Sequence, residues 1–313
     1  MSPLPRVVAD GPLAPAVEQL LRERVEVLPW DAAVHGSASL IAGLYTYGHP
    51  LVDAPLLDRL PGLKVISNYG VGVDHIDLAA AAARGIVVGN TPGILDGATA
   101  DMAFTLLLAS ARRLIEGDRY ARSAEFTRYD PGCMLGVEVH GQTLGIIGLG
   151  RIGAEVARRA RGFSMRVLYH NRKERPNAAE FAAERVSLDE LLATSDFLVL
   201  TVPLSEETRG LIGREQLRRM KPTAILVNVA RGPIVDTAAL TEALQERWIY
   251  GAAVDVTDPE PLPCGHPLLA CDNLTIAPHL GSATVQTRQK MAEISVENLL
   301  RGLSGAELLH RVA

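Results

Sequence analysis

The stretch that decides the fold is TLGIIGLGRIG, residues 143–153. Its apolar first half predicts a short buried strand over 143–147, and residues 151–161 follow as a predicted helix. Between them, Gly148, Gly150 and Gly153 have the G-x-G-x-x-G spacing. In that setting the first glycine permits a tight turn, the second lets backbone approach a pyrophosphate, and the third lets the helix pack on the strand. The stretch therefore predicts a dinucleotide site, against the alternative of a glycine-rich turn without a ligand.

The residues after this stretch continue the alternation of strands and helices. Such alternation indicates a parallel sheet with helices on both faces. The pattern predicts strands at 166–170, 197–202, 224–229, 251–256 and 274–276, and helices at 187–193, 214–219 and 237–245.

The residues before the stretch form another α/β run, which has no G-x-G-x-x-G and is not expected to bind a nucleotide. Residues 98–112 are apolar nearly all round, which predicts a buried helix. Residues 116–140 are interpreted as an irregular connector, and 283–301 as a packed amphipathic helix. The fold class predicted is therefore α/β with two doubly wound parallel sheets. In the first run we expect strands at 6–9, 25–28, 40–44, 64–67 and 86–88, and helices at 14–24, 55–60 and 76–84.

Composition limits the classes of function. The 313 residues suffice for about two domains, and a formal net charge of -5 without a basic stripe argues against a nucleic-acid partner. Cys133, Cys264 and Cys271 are too few and too scattered for a disulfide framework or a zinc site, so no metal is expected. Residues 1–5 do not begin a signal peptide, and no apolar run is long enough for a membrane span. We therefore expect a cytoplasmic protein without a membrane partner.

The end of the strand at 166–170 predicts which cofactor binds. An acidic residue there would accept hydrogen bonds from the adenosine ribose and favour NAD, whereas basic residues accommodate a 2′-phosphate. Here Asn171 stands in the acidic position, and Arg172 and Lys173 follow. The sequence therefore favours NADP (NADPH) over NAD, the alternative being that both cations are merely solvated.

Three more polar segments follow strands of the second run, where ligands of doubly wound sheets gather. They are NVARG (228–232), DVTDPEP (255–261) and APHLGS (277–282). An arginine just past a buried strand can grip a carboxylate with two parallel hydrogen bonds.

With these segments in order, the chain resembles the D-isomer-specific 2-hydroxyacid dehydrogenase family over essentially its whole length. The loop NYGVGVD at 68–74 matches as well. Within the family, the basic segment after Tyr169 and the sequence HLGSAT at 279–284 are most similar to NADPH-dependent glyoxylate and hydroxypyruvate reductases. Hydroxyphenylpyruvate and 2-ketogluconate reductases are similar too.

The resemblance implies roles for individual residues. His279 would be the general acid that protonates the substrate carbonyl, and Glu260 would orient and stabilise its imidazole. Arg231 would bind the substrate carboxylate and polarise the carbonyl, with the backbone amides of Val71 and Gly72 completing the carboxylate site. Further contacts implied are Ser282 to the substrate, and, to the cofactor, Thr99, Gly148, Leu149, Gly150, Arg151, Ile152, Gly153, Asn171, Arg172, Lys173, Val202, Pro203, Thr208, Val229, Ala230, Asp255, His279 and Gly281.

The resemblance also implies the architecture: a Rossmann cofactor domain (98–284) inserted into a discontinuous, flavodoxin-like substrate domain (1–97 plus 285–313). A cleft between them would close over a small 2-oxo or 2-hydroxy acid, and the protein would be a homodimer. Thr257 and the segment 133–134 depart from many relatives, which leaves the exact substrate and any residue supplied across a dimer open. Two rival functions remain: an NAD-linked dehydrogenase of larger substrates, and a nucleotide-sensing, corepressor-like scaffold.

Overall fold

The structure, a computed structural model, describes residues 3–35, 40–48, 50–176 and 178–313. Met1 and Ser2, part of the segment tested for a signal peptide, lie outside the described residues. The chain divides into two compact units, Met1–Leu95 with Thr284–Ala313, and Asp96–Ala283.

The first unit is a five-stranded parallel sheet in the order β2-β1-β3-β4-β5. This 2-1-3-4-5 order is that of flavodoxin-like folds. Val8, Leu44 and Ile66 in the middle of the sheet are fully buried, as expected for strands covered on both faces. The strands are β1 (Arg6–Ala9), β2 (Glu26–Pro29), β3 (Ile41–Thr46), β4 (Val65–Asn68) and β5 (Val87–Gly89), and the helices are α1 (Pro15–Leu21), α2 (Asp31–His35), α3 (Ala54–Asp58), α4 (Leu78–Ala83) and α11 (Val285–Ser304).

The second unit is a seven-stranded parallel sheet in the order β12-β11-β10-β9-β6-β7-β8. Read from β8, this is the Rossmann order 3-2-1-4-5-6 with a seventh strand, and the order reverses between β6 and β9. The strands are β6 (Thr143–Ile147), β7 (Arg166–His170), β8 (Ala183–Arg185), β9 (Phe197–Leu200), β10 (Ile225–Asn228), β11 (Gly251–Val254) and β12 (Leu274–Ile276), and the helices are α5 (Asp96–Ala111), α6 (Leu114–Ala121), α7 (Arg151–Gly162), α8 (Leu188–Thr194), α9 (Arg214–Arg219) and α10 (Thr237–Gln245).

The predicted fold class is confirmed, one local prediction is wrong, and the sequence did not indicate the short elements α2 and β8. The predicted connector at 116–140 contains most of α6, which buries none of its residues and carries Gly117 in its interior, so neither periodicity nor propensity indicated it. The short strand β8 was not predicted, because three residues with little burial carry no alternating pattern.

The apolar helix α5 is buried, as its composition predicted. Phe104 stacks on Phe163 with ring centroids 5.4 Å apart. Beside this contact Arg159 of α7 donates to the Asp101 carboxylate at 2.7 Å and to the Gly97 carbonyl at 3.1 Å. These contacts fix α5 against α7, the helix that follows the glycine-rich turn. In the described part of the chain, no helix combines the length and apolarity needed to cross a membrane.

Candidate active site

The glycine-rich turn has the geometry that a dinucleotide pyrophosphate needs. Gly148 has φ +100, and a Cβ there would lie 2.7 Å from a Val202 methyl carbon. A Cβ on Gly153 would lie 2.3 Å from the Gly148 carbonyl oxygen, so only glycine lets α7 pack this closely. In contrast, a Cβ on Gly150 would meet no described atom within 4 Å. The turn is therefore closed where strand and helix meet and open where a ligand would approach.

The beginning of α7 offers free donors at that opening. The first helical bond runs from the Ala154 amide to the Gly150 carbonyl at 3.0 Å. The amides of Arg151 and Ile152 have no acceptor among the described residues. Unpaired amides and the positive end of the helix dipole favour an anion here. The residues present therefore fit a bound pyrophosphate.

The loop after β9 lies next to this turn, on the other side of the point where the strand order reverses. The Thr201 hydroxyl donates to the Gly148 carbonyl at 2.7 Å, which ties the two loops together. The Thr208 hydroxyl donates to the Pro203 carbonyl at 2.7 Å and accepts from the Ser205 amide at 2.8 Å. Thr208 thus shapes the loop that carries Val202 and Pro203.

The end of β7 presents hydrogen-bond donors. The Leu149 amide donates to Oδ1 of Asn171 at 2.7 Å, so the amide nitrogen of that side chain must face away from the turn. This nitrogen has no acceptor among the described residues. Arg172 and Lys173 are exposed, and Arg172 pairs with Glu207 of the loop after β9. Asn171 therefore presents a donor where an aspartate would present an acceptor.

Arg185 is a third cation at this edge, and the sequence did not indicate it. Its guanidinium donates to the backbone carbonyls of Asn171 and Arg172 at 3.1 and 3.0 Å. Arg185 lies on β8, which pairs with β7. Predicting β8 as the neighbour of β7 would have placed this arginine next to the basic segment. Its contacts fix the backbone of the basic segment.

The loop after β10 positions Arg231. The buried side chain of Asn228 accepts from the Ala230 amide at 3.0 Å and donates to the Arg231 carbonyl at 2.9 Å, which folds the turn that also carries Val229. A Cβ on Gly232 would lie 1.9 Å from the Thr257 carbonyl oxygen. Only glycine therefore lets this turn pack directly on the loop that carries Glu260.

Glu260 and His279 form the central pair of the site. Nδ1 of His279 lies 2.7 Å from Oε1 of Glu260. With Nδ1 donating to that carboxylate, Nε2 is the ring atom left for a reactant. The two side chains are 49% and 39% exposed, so the imidazole is open on the second unit's surface. The pair can hold a proton on Nε2 and present it.

The surroundings of Glu260 favour its ionised form. Partial burial alone would raise the pKa of this carboxyl, but the hydrogen bond and charge of His279 outweigh that effect, helped by the Thr257 amide and the charge of Arg231. The pKa of Glu260 therefore lies below its ordinary value. Two predicted catalytic residues from other strand ends, His279 and Arg231, thus act electrostatically on a third, Glu260.

Asp255 holds the backbone of His279. Its carboxylate accepts from the amides of Leu280 and Gly281 at 2.6 and 2.7 Å, and its carbonyl accepts from the His279 amide at 2.8 Å. His279 has φ 57, a left-handed conformation that costs a residue with a side chain free energy. Burial raises the pKa of Asp255 despite these two amides and the nearby imidazole. Both carboxylate oxygens are committed to this loop.

The remaining predicted contacts near this loop are buried. Gly281 packs against Asp255 and Thr99, because a Cβ there would lie 3.1 Å from Oδ2 of Asp255 and 3.3 Å from the Thr99 side chain. Ser282 is 9% exposed. Gly281 and Thr99 therefore pack closely against each other next to the loop that carries His279.

In the first unit, Val71 and Gly72 lie in the half-buried loop after β4. Their amides have no acceptor among the described residues, while their carbonyls accept from the side chains of Asn90 and Asn68. The loop can therefore donate to an anion. In the described residues, no group of three or more His, Cys, Asp or Glu side chains could hold a metal ion.

Comparisons with known proteins show which family the chain resembles. A family model described as D-isomer specific 2-hydroxyacid dehydrogenase, NAD binding domain, matches residues 104–281. A glyoxylate reductase of Thermococcus onnurineus is 46% identical over 92% of this chain and 89% of its own length. A crystal structure of an NADPH-dependent glyoxylate/hydroxypyruvate reductase of Sinorhizobium meliloti, in complex with NADP and malonate, has a TM-score of 0.90 at 35% identity, covering 99% of this chain and 97% of that one. A Thermus thermophilus structure has a TM-score of 0.90 at 47% identity, covering 98% of this chain and all of the other.

Proposed function

The chain belongs to the D-isomer specific 2-hydroxyacid dehydrogenase family of oxidoreductases, and from this we propose that it is an NADPH-dependent reductase of a small 2-oxo acid, of the glyoxylate or hydroxypyruvate type. The product is the D-2-hydroxy acid. The observation that carries the proposal is the His279–Glu260 hydrogen bond of 2.7 Å beside the Arg231 loop, at the strand ends of an NAD(P)-binding domain.

The chemistry assigned to the chain is binding and proton transfer. The cofactor held at the glycine-rich turn would be a reduced nicotinamide nucleotide, which would supply the hydride for the carbonyl carbon. Nε2 of the protonated His279 gives its proton to the carbonyl oxygen, while the Glu260 carboxylate stabilises the imidazolium. Arg231 binds the substrate carboxylate and stabilises the charge that develops on the oxygen. The amides of Val71 and Gly72 bind the carboxylate as well, and Ser282 is assigned a supporting contact.

The preference for NADPH is supported by the chemistry of the donors at the end of β7. Asn171 offers its amide nitrogen, and the exposed Arg172 and Lys173 add positive charge. These are groups that bind phosphate oxygens, whereas the ribose hydroxyls of NAD favour a carboxylate acceptor. The relative from Sinorhizobium meliloti is described as NADPH-dependent and in complex with NADP.

The experiment is a matrix of initial rates with NADPH and NADH against glyoxylate, hydroxypyruvate, 2-ketogluconate and hydroxyphenylpyruvate. We expect the highest kcat/KM for a small 2-oxo acid with NADPH. A clear preference for NADH would refute the cofactor assignment, and a preference for the larger acids would refute the substrate assignment. No turnover of any 2-oxo acid would favour the nucleotide-sensing scaffold.

We also assign the protein to a homodimer, supported by an exposed apolar surface on the second unit. Ile115 and Leu135 are 45% and 70% exposed and border a cavity of about 580 Å³, together with Leu269 and Ile276. Charged side chains, among them Arg113 and Glu116, also line this cavity, and exposed apolar side chains grouped in this way favour a protein partner. Light scattering should give the mass of two chains, and the mass of one chain would contradict the assignment.

The three free cysteines suit a reducing compartment such as the cytoplasm, to which we assign the protein.

A further inference from the structure

In the loop 70–72 of the first unit, the backbone carbonyls accept hydrogen bonds while the backbone amides have no acceptor in the described part of the chain. Every backbone carbonyl from Tyr69 to Gly72 accepts a bond from the residues at the ends of β4 and β5. The amides of Gly70, Val71 and Gly72 have no acceptor in the described part of the chain. The loop thus directs its acceptors into the unit and keeps its donors unpaired.

Two asparagine side chains donate hydrogen bonds to the carbonyls of Gly70, Val71 and Gly72. Nδ2 of Asn68, a residue only 1% exposed, donates to the Gly70 carbonyl at 2.9 Å and to the Gly72 carbonyl at 2.8 Å. Nδ2 of Asn90 donates to the Val71 carbonyl at 2.9 Å. Asn90 is itself held by Asn298, whose side chain donates to the Asn90 carbonyl at 3.0 Å.

The geometry of the peptide group connects these contacts to the two amides. In a trans peptide the N–H points opposite to the carbonyl of the same plane. The Gly70 carbonyl shares its plane with the Val71 amide, and the Val71 carbonyl shares its plane with the Gly72 amide. Asn68 therefore orients the Val71 N–H, and Asn90 orients the Gly72 N–H. A donor at each carbonyl also polarises the peptide and strengthens its N–H as a donor.

We propose that Asn68 and Asn90 are positioning residues that fix the Val71 and Gly72 amides for binding the carboxylate of the 2-oxo acid. This inference rests on the proposed function for the identity of the anion. Asn68 orients the Val71 amide and Asn90 orients the Gly72 amide, so replacing either asparagine should chiefly affect a different amide.

The test follows the amide resonances of Val71 and Gly72 by NMR while oxalate, a carboxylate probe, is added to the full-length protein with NADPH. The variants are Asn68→Asp and Asn90→Asp, which keep the side-chain shape but replace the donor by an acceptor. Ser67→Ala is the matched control, because the Ser67 hydroxyl donates a buried bond of 2.6 Å to the Ser295 carbonyl and does not contact the loop.

In the wild type we expect both amides to shift and saturate with oxalate. Asn68→Asp should weaken oxalate binding about tenfold and chiefly reduce the Val71 shift, and Asn90→Asp should chiefly reduce the Gly72 shift. Ser67→Ala should lose stability but keep oxalate affinity within about twofold, and NADPH affinity should be unchanged in all three. For glyoxylate, the asparagine variants should raise KM far more than they lower kcat.

Two results would overturn the inference: wild-type amides that do not respond to oxalate, or asparagine variants that bind oxalate as well as Ser67→Ala does. The binding readout does not require turnover. If the protein reduces no 2-oxo acid but its amides respond as described, the proposed function fails and the positioning role stands. If it reduces glyoxylate while Asn68→Asp and Asn90→Asp bind oxalate normally, the positioning role alone fails.

Discussion

At the scale of single residues, the site depends on a histidine held in an unfavourable backbone conformation. His279 has φ 57, and Asp255 compensates by accepting from three consecutive amides at 279–281. This arrangement could not be predicted from the sequence, which indicated Asp255 only as a polar residue after a strand. The resemblance suggested a cofactor contact for it, and that role stays a prediction.

The first prediction concerns Glu260, whose pKa lies below its ordinary value. Because the carboxylate stays ionised at neutral pH, it stabilises the protonated imidazole of His279. In Glu260→Gln this stabilisation is absent, so kcat/KM for reduction should decline at a lower pH than in the wild type. The measurement is the pH profile of reduction with NADPH.

Asp258→Asn is the matched control, because Asp258 is a neighbouring exposed carboxylate without a contact to His279. Its profile should follow the wild type.

The pH dependence of the free energy of unfolding is a second measurement of the role of Glu260. A carboxyl with a depressed folded-state pKa stabilises the fold above its unfolded pKa, and this contribution is lost as the pH falls through the folded pKa. Glu260→Gln and the wild type should therefore converge in stability in acid, and identical profiles of rate and stability would contradict the assigned role.

At the scale of elements, predictions succeeded where a strand or helix buries a continuous apolar surface or is flanked by turn residues on both sides. The strand at 166–170 and the helix at 237–245 have the predicted bounds and bury more than half of their residues. The helix at 214–219 and the strand at 274–276 bury little, and their bounds match because turn residues flank them on both sides. Elements with little burial, α6 and β8, carried no such signal. Arg185, Asn68 and Asn90 act through contacts with distant or adjacent loops, which neither periodicity nor spacing encodes.

The second prediction belongs to the end of β7. In Asn171→Asp one carboxylate oxygen still accepts from the Leu149 amide. The other oxygen carries negative charge at the position where asparagine has an N–H donor. That oxygen should accept from the ribose of NADH and repel the 2′-phosphate of NADPH. The ratio of kcat/KM for NADPH to that for NADH should fall by about tenfold or more. Gln245→Glu adds the same charge at an exposed position of α10 and should leave the ratio unchanged; an unchanged ratio in both variants would contradict the assignment.

At the scale of the whole molecule, the chain carries two parallel sheets with different strand orders. The second unit has the Rossmann strand order, and segments at its strand ends pair Glu260 with His279, while the charge of Arg231 helps to lower the pKa of Glu260. The first unit has a flavodoxin-like order and carries a loop of unpaired amides. The alternating pattern and the glycine spacing predicted both sheets, because parallel strands covered by helices must be apolar throughout. Assigning substrate to the first unit and cofactor to the second stays a prediction.

The central claim is that His279 supplies the proton for reduction of a 2-oxo acid. The direct measurement is single-turnover oxidation of NADPH by excess glyoxylate in the wild type, in His279→Asn and in the control His140→Gln. Asparagine tolerates a positive φ, so the loop should keep its conformation. The rate should fall at least about a hundredfold in His279→Asn, while NADPH affinity and the His140→Gln rate stay near those of the wild type. A wild-type rate in His279→Asn would contradict the account.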